Sequence, residues 1–75
     1  YKAINLSNLQ ALSEKTGLTT ITVDTMIENG LITKKDLVKV LGNGELTIKL
    51  DVTANAFSKS AVAKIEAVQG STTII

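Results

Sequence analysis

Two hydrophobic rhythms divide the chain. In Leu6, Leu9 and Leu12, and again in Ala61, Ile65 and Val68, apolar residues recur every three or four positions, the spacing that lines one stripe of an α-helix. In Leu46, Ile48, Leu50 and Val52 they alternate with Thr47, Lys49 and Asp51. A period of two lines one face of a β-strand, so ELTIKLDV reads as the clearest strand. LVKVL before it and STTII at the far end, rich in β-branched residues, read as further strands. YKAINL is a short strand or extended lead-in containing Ala3 and Ile4.

Helix boundaries follow from capping chemistry. Ser7 is the expected N-cap of the first helix, with Gln10 closing a reciprocal capping box and Leu6 packing near Ala11. Gly17 takes the left-handed position after it, with Leu18 folding back on Leu12. Thr22 caps a second short helix carrying Asp24 at its positive end, Ile21 and Met26 staple it, and Gly30 ends it. In NAFSKSAVAKIEAVQG, Ser58 is the N-cap, Phe57 staples against Val62, and Gly70 is placed at the left-handed terminus. Between LVKVL and ELTIKLDV, the residues Gly42, Asn43 and Gly44 permit positive φ, and a tight hairpin joining 37 to 52 is the expectation. Neither of the first two helices is stable alone at this length, so each lays its apolar edge on another element. Together the elements predict a mixed α/β fold, one compact domain over residues 1–75.

Composition narrows the chemistry. Eight lysines and seven acidic groups leave a formal charge of +1, so whole-chain electrostatics do little for nucleic-acid binding and local placement must decide. All basic residues are lysine, which favours phosphate contacts over bidentate reading of base edges. Histidine and cysteine are absent. That removes thiol catalysis, zinc-thiolate sites and the usual neutral-pH base, and the carboxylates are dispersed, so no catalytic, metal or cofactor site is assigned. No apolar run approaches the ~20 residues that cross a bilayer as a helix, and no membrane or small-molecule partner is expected.

Candidate contacts are therefore lysines and backbone turns. Lys34, Lys35 and Lys39 form a basic cluster that Lys49 joins across the expected hairpin, with Asp36 offsetting part of the charge. As phosphate contacts they confer salt-dependent binding, and as a solvated face they do nothing specific. The amides around Asn43 and Gly44 suit an anion, although spacing alone favours a structural turn over a ligand contact. Ser58 and Lys59 stand at a helix N-terminus, where the dipole attracts phosphate, unless Ser58 satisfies those amides itself. Lys64 lies about 140° around the helix from Lys59 and is not assigned to the same footprint. Asn5-Leu6-Ser7 matches a glycosylation pattern that helix capping explains more economically. Tyr1 and Phe57 are too few for a stacking platform.

The run KVLGNGELTIKL followed by VTANAFSKSAVAKIEAVQG resembles the C-terminal domain of the bacterial large-subunit ribosomal proteins of the L-fifteen family. AINLSNL, TVDTMIENGLI and KKDLVKVL are similar to segments of that family in the same order. The resemblance implies irregular strand-strand-helix units and a noncatalytic structural role in the cytoplasmic ribosome. It implies large-subunit ribosomal RNA and neighbouring ribosomal proteins as partners. It further implies a glycine- and arginine-rich, RNA-penetrating extension preceding this chain, which carries much of the RNA affinity. Within the matching region Leu46, Phe57, Ala61 and Ile65 are assigned to the fold, and lysines and exposed turn groups to the interface. Family members often carry more basic residues where this chain has Ile48, Asp51, Thr53 and Asn55, and a doubled glycine where it has Gln69-Gly70. The alternative reading is a protein-interaction module using an apolar surface or an exposed sheet edge.

Overall fold

Strand pairing is parallel throughout the computed structural model, which describes residues 1–75. The elements run β1 (Lys2–Asn5), α1 (Leu6–Thr16), β2 (Thr20–Ile21), α2 (Val23–Glu28), β3 (Val38–Leu41), β4 (Asp51–Ala54), β5 (Ala56–Phe57), α3 (Lys59–Ala67) and β6 (Ser71–Ile74). Strands β1, β3 and β5 form one sheet in that order, and β2, β4 and β6 form the other. Successive strands therefore alternate between sheets, and the chain coils through three turns that each add one strand to both. Helix α1 crosses between sheets in the first turn and α3 in the third, while irregular backbone over 42–50 crosses in the second.

This topology removes the expected hairpin. A two-residue hairpin of the favoured kind needs positive φ at both central positions, and around this turn only Gly44 has it, at 89°. Val38 to Leu41 instead pair with Lys2 to Asn5 on one side, and Lys39 and Val40 pair with Ala56 and Phe57 on the other. Of ELTIKLDV only the end belongs to a strand. Leu46 and Leu50 are buried and Thr47 and Lys49 exposed, so the alternation persists in irregular backbone.

The core forms where the two rhythms meet. Leu6, Leu9 and Leu12 of α1, Ala61 and Ile65 of α3, and Val38, Val40 and Val52 of the strands join one cluster of 15 buried apolar residues. Complete burial of a leucine or isoleucine contributes about 1.5–3 kcal/mol, enough for a few such residues to hold the marginal helices in place. Leu46 belongs to this cluster, and Phe57 packs against it half-buried.

Capping is largely as the chain's local chemistry predicts. Thr22 Oγ1 accepts from the Thr25 amide at 3.2 Å, and Ser58 Oγ accepts from the Ala61 amide at 3.2 Å. At the end of α2, Gly30 N donates to Ile27 O and Leu31 N to Met26 O, a complete Schellman motif with Gly30 at φ 77°. Two caps differ. Helix α1 starts one residue before Ser7, so Asn5 is its N-cap and donates its own amide to Asn8 Oδ1 at 3.0 Å. Gln10 is left to bond elsewhere. At the end of α3 the left-handed residue is Gln69, at φ 68°, in place of Gly70. Gly70 is required for space, because a Cβ there would collide with the Leu50 carbonyl and stand 2.9 Å from Ile65 Cγ2.

Candidate nucleic-acid interface

Strand β3 is the axis of the interface because it is the centre of its sheet. Val38 and Val40 point into the core, so Lys39 and Leu41 face outward by the period of two. Lys39 lies in register between Ala3 of β1 and Ala56 of β5. Small neighbours on both sides leave its stem half-buried and let a ligand approach the sheet closely. Four strand residues extend about 13 Å, and parallel pairing stacks all three strand starts at one end and all three strand ends at the other.

Lys34 and Lys35 stand at the starting end, exposed at the tip of a turn. The Thr33 amide donates to Asp36 Oδ2 at 2.9 Å, the Thr33 hydroxyl donates to the same oxygen at 3.2 Å, and Asp36 N returns a bond to Thr33 O at 3.1 Å. The amide bond holds the Asp36 carboxyl below its usual range against an opposing effect of desolvation. The hydroxyl and the positive charge of Lys2 act in the same direction as the amide. An ionised Asp36 fixes the turn that lifts both lysines into solvent. It also offsets part of their charge.

At the opposite end the Gly42 to Gly44 turn is clipped between two helices. Asn43 Nδ2 donates to Asn5 Oδ1 at 3.1 Å, and Ser7 N donates to Asn43 O at 3.3 Å, which ties the turn to the start of α1. Gly42 lies against the first turn of α3, where a Cβ would collide with the Ser60 side chain and stand 2.8 Å from Ala61 N. Lys64 Nζ donates to Gly42 O at 2.8 Å and to Gly44 O at 3.2 Å. The turn is thus a structural clip whose exposed surface is Asn43, Gly44 and Glu45.

The structure gathers Lys34, Lys35, Lys39, Asn43 and Gly44 along β3 and its two ends. Ser58 and Lys59 follow β5 at the same end as the glycine turn. The Ser58 hydroxyl already caps Ala61 and meets Ser60 Oγ at 3.2 Å, whereas Lys59 is exposed. Lys49 does not join this group. It lies in the irregular crossing segment, which Thr47 fastens to α1 by giving its amide to Gln10 Oε1 at 3.1 Å and accepting Gln10 Nε2 at 2.7 Å. Without a hairpin nothing brings Lys49 opposite Lys39. Lys64, Asn5 and Gln10 are the residues that the chain's local pattern does not reveal. Lys64 was legible only as facing away from Lys59, and what lies on that side of α3 is set by residues twenty positions earlier.

Two depressions mark the surface. An open one of about 420 Å³ is lined by Tyr1, Lys2, Lys35, Asp36 and Leu37, and its one carboxylate is already held by Thr33. A smaller one of about 170 Å³ lies among Asn8, Ala11, Leu12, Lys15, Asn29 and Leu31. Neither converges acidic, serine and lysine groups on one point. No helix is long and apolar enough to cross a membrane.

These features define a class: a small parallel α/β coil that offers an outer sheet face and clipped turns for contact, in place of an enclosed reaction site. The chain belongs to the family of ribosomal proteins that comprises 50S-L15, 50S-L18e and their 60S counterpart, and the family model matches residues 3–73. It is 63% identical over 70 residues to the large ribosomal subunit protein uL15 of Phocaeicola vulgatus, covering 93% of this chain and 47% of that protein. Identity to the protein of the same name from Bacteroides thetaiotaomicron is 57% over 70 residues, with the same coverage of 93% and 47%. The corresponding protein of Corynebacterium diphtheriae is 49% identical over 73 residues, which are 97% of this chain and 48% of that one. The chain spans about half the length of the curated relatives it matches.

Proposed function

We propose that this chain is a structural component of the large subunit of the cytoplasmic ribosome, bound to large-subunit ribosomal RNA along the outer face of the β1-β3-β5 sheet. The relatives named as large-subunit proteins support the setting. The observation that carries the placement is the line of Lys34, Lys35 and Lys39 on and beside one central strand, flanked by alanines that leave room for a sugar-phosphate backbone. Lysine contacts to phosphate position the domain, and the folded shape of the RNA supplies selectivity. An arginine-rich segment elsewhere in the full-length protein adds affinity.

Replacing Lys34, Lys35 and Lys39 together with alanine tests the placement. The slope of log affinity against log salt falls by about one for each phosphate that is no longer neutralised. Unchanged affinity and slope reject this face. A second reading, contact with a neighbouring ribosomal protein through the free edge of β6, is favoured by Ile74, which is paired with fully buried Ala54 and yet is 70% exposed. Crosslinks from that edge to protein, with none to RNA from either lysine group, select it.

A further inference from the structure

Lys64 is the lysine whose ammonium is held most definitely, and it is held by backbone. Its two acceptors, Gly42 O at 2.8 Å and Gly44 O at 3.2 Å, flank Asn43, so one cation closes the turn across its mouth. Closure has a local cause. Gly44 at φ 89° and Gly42 packed on Ala61 N aim two carbonyl oxygens at the same side, where their partial negative charges repel each other and would repel a phosphate. An ammonium between them cancels both effects, and a charged donor makes the stronger kind of hydrogen bond.

The ammonium has three N–H groups, and the carbonyls take two. Lys64 is exposed, so the third faces solvent beside Asn43 and Gly44. We infer that Lys64 is a positioning residue for the RNA interface: it fixes the Gly42 to Gly44 turn against α3 and turns its remaining N–H toward a backbone phosphate. The inference rests on the proposed RNA-binding role and adds a residue to it, at the end of the sheet opposite Lys34 and Lys35. Lys59, five residues earlier in α3, makes no such bond and serves as the control.

The test compares Lys64→Met, Lys64→Arg and Lys59→Met in the full chain by two measurements. Nitrogen relaxation of the Asn43 and Gly44 amides reads the clip, and binding of large-subunit RNA over a salt series reads the phosphate contact. Lys64→Met is expected to loosen both amides, weaken binding roughly tenfold at low salt and lower the salt slope by about one. Lys64→Arg, which keeps the charge and can bond both carbonyls, is expected to retain the slope, and Lys59→Met to leave the amides ordered. A merely structural lysine would loosen the amides without moving the slope, and that result overturns the assignment, as does an unchanged turn. If the unsubstituted chain shows no salt-dependent RNA binding, the RNA reading itself fails. A normal slope in the unsubstituted chain beside an equal one in Lys64→Met sinks only the role given to Lys64.

Discussion

Gln69 is the residue most visibly out of place. It holds φ 68° at the end of α3, a conformation that costs an L-residue about 1–2 kcal/mol and a glycine almost nothing. It persists because the Schellman bonds around it, Gln69 N to Glu66 O at 2.9 Å and Gly70 N to Ile65 O at 2.9 Å, close the helix and deliver the chain into β6. Gln69→Gly should therefore stabilise the domain by about 1 kcal/mol, less the entropy that glycine adds to the unfolded chain, which raises Tm by about 4–8 °C per kcal/mol at this size. Thermal denaturation checks it. An unchanged or lowered Tm would show that the strain is absent.

Among the elements, the turn over 33–36 ties stability to pH. The Asp36 carboxyl has a lower pKa folded than unfolded because the Thr33 amide bonds its charged form. A depressed folded pKa makes the contribution complete above the unfolded value, about 3.9, and removes it as pH falls through the folded one. Asp36→Asn should consequently show a shallower acid loss of Tm between about pH 5 and pH 2 than the parent chain. Parallel Tm profiles would contradict this, since all other carboxylates are common to both proteins. Acid should also loosen Lys34 and Lys35, because the same bonds hold their turn.

How much the chain disclosed differs between local and distant contacts. Caps at Thr22 and Ser58 and the glycine ends at Gly17 and Gly30 depend on residues within a few positions, and all four are as their neighbours dictate. Strand partners were not legible. Val40 pairs with Ile4 and Phe57, far away in sequence, whereas GNG between two apolar runs satisfies every local rule for a hairpin. What decides against the hairpin is the hold of Asn5 and Lys64 on the turn from helices on either side. Ser7 misled for a related reason: its amide bonds Asn43, 36 residues later, and the helix starts ahead of it. Of the interface, the lysines at 34, 35 and 39 were visible as a cluster, but their arrangement along one central strand came only with the parallel sheet.

At the scale of the molecule, three coil turns share one core although they have no common sequence. Each turn contributes a strand to both sheets and none can bury its apolar face alone, so the domain should lose its sheets and helices together. The same coiling separates two surfaces. The outer face of β1-β3-β5 carries Lys39 between small residues, and the edge of β6 carries no charge. In the proposed role the first of these faces meets RNA. Because the chain has no cysteine, a single introduced thiol is unique within it. Crosslinking from Lys35→Cys, Ala56→Cys and Thr73→Cys in assembled large subunits tests that placement most directly. Attachment to ribosomal RNA from positions 35 and 56, and none from 73, is the predicted result. Attachment to RNA from position 73 alone, with 35 and 56 reaching only protein or solvent, would contradict it.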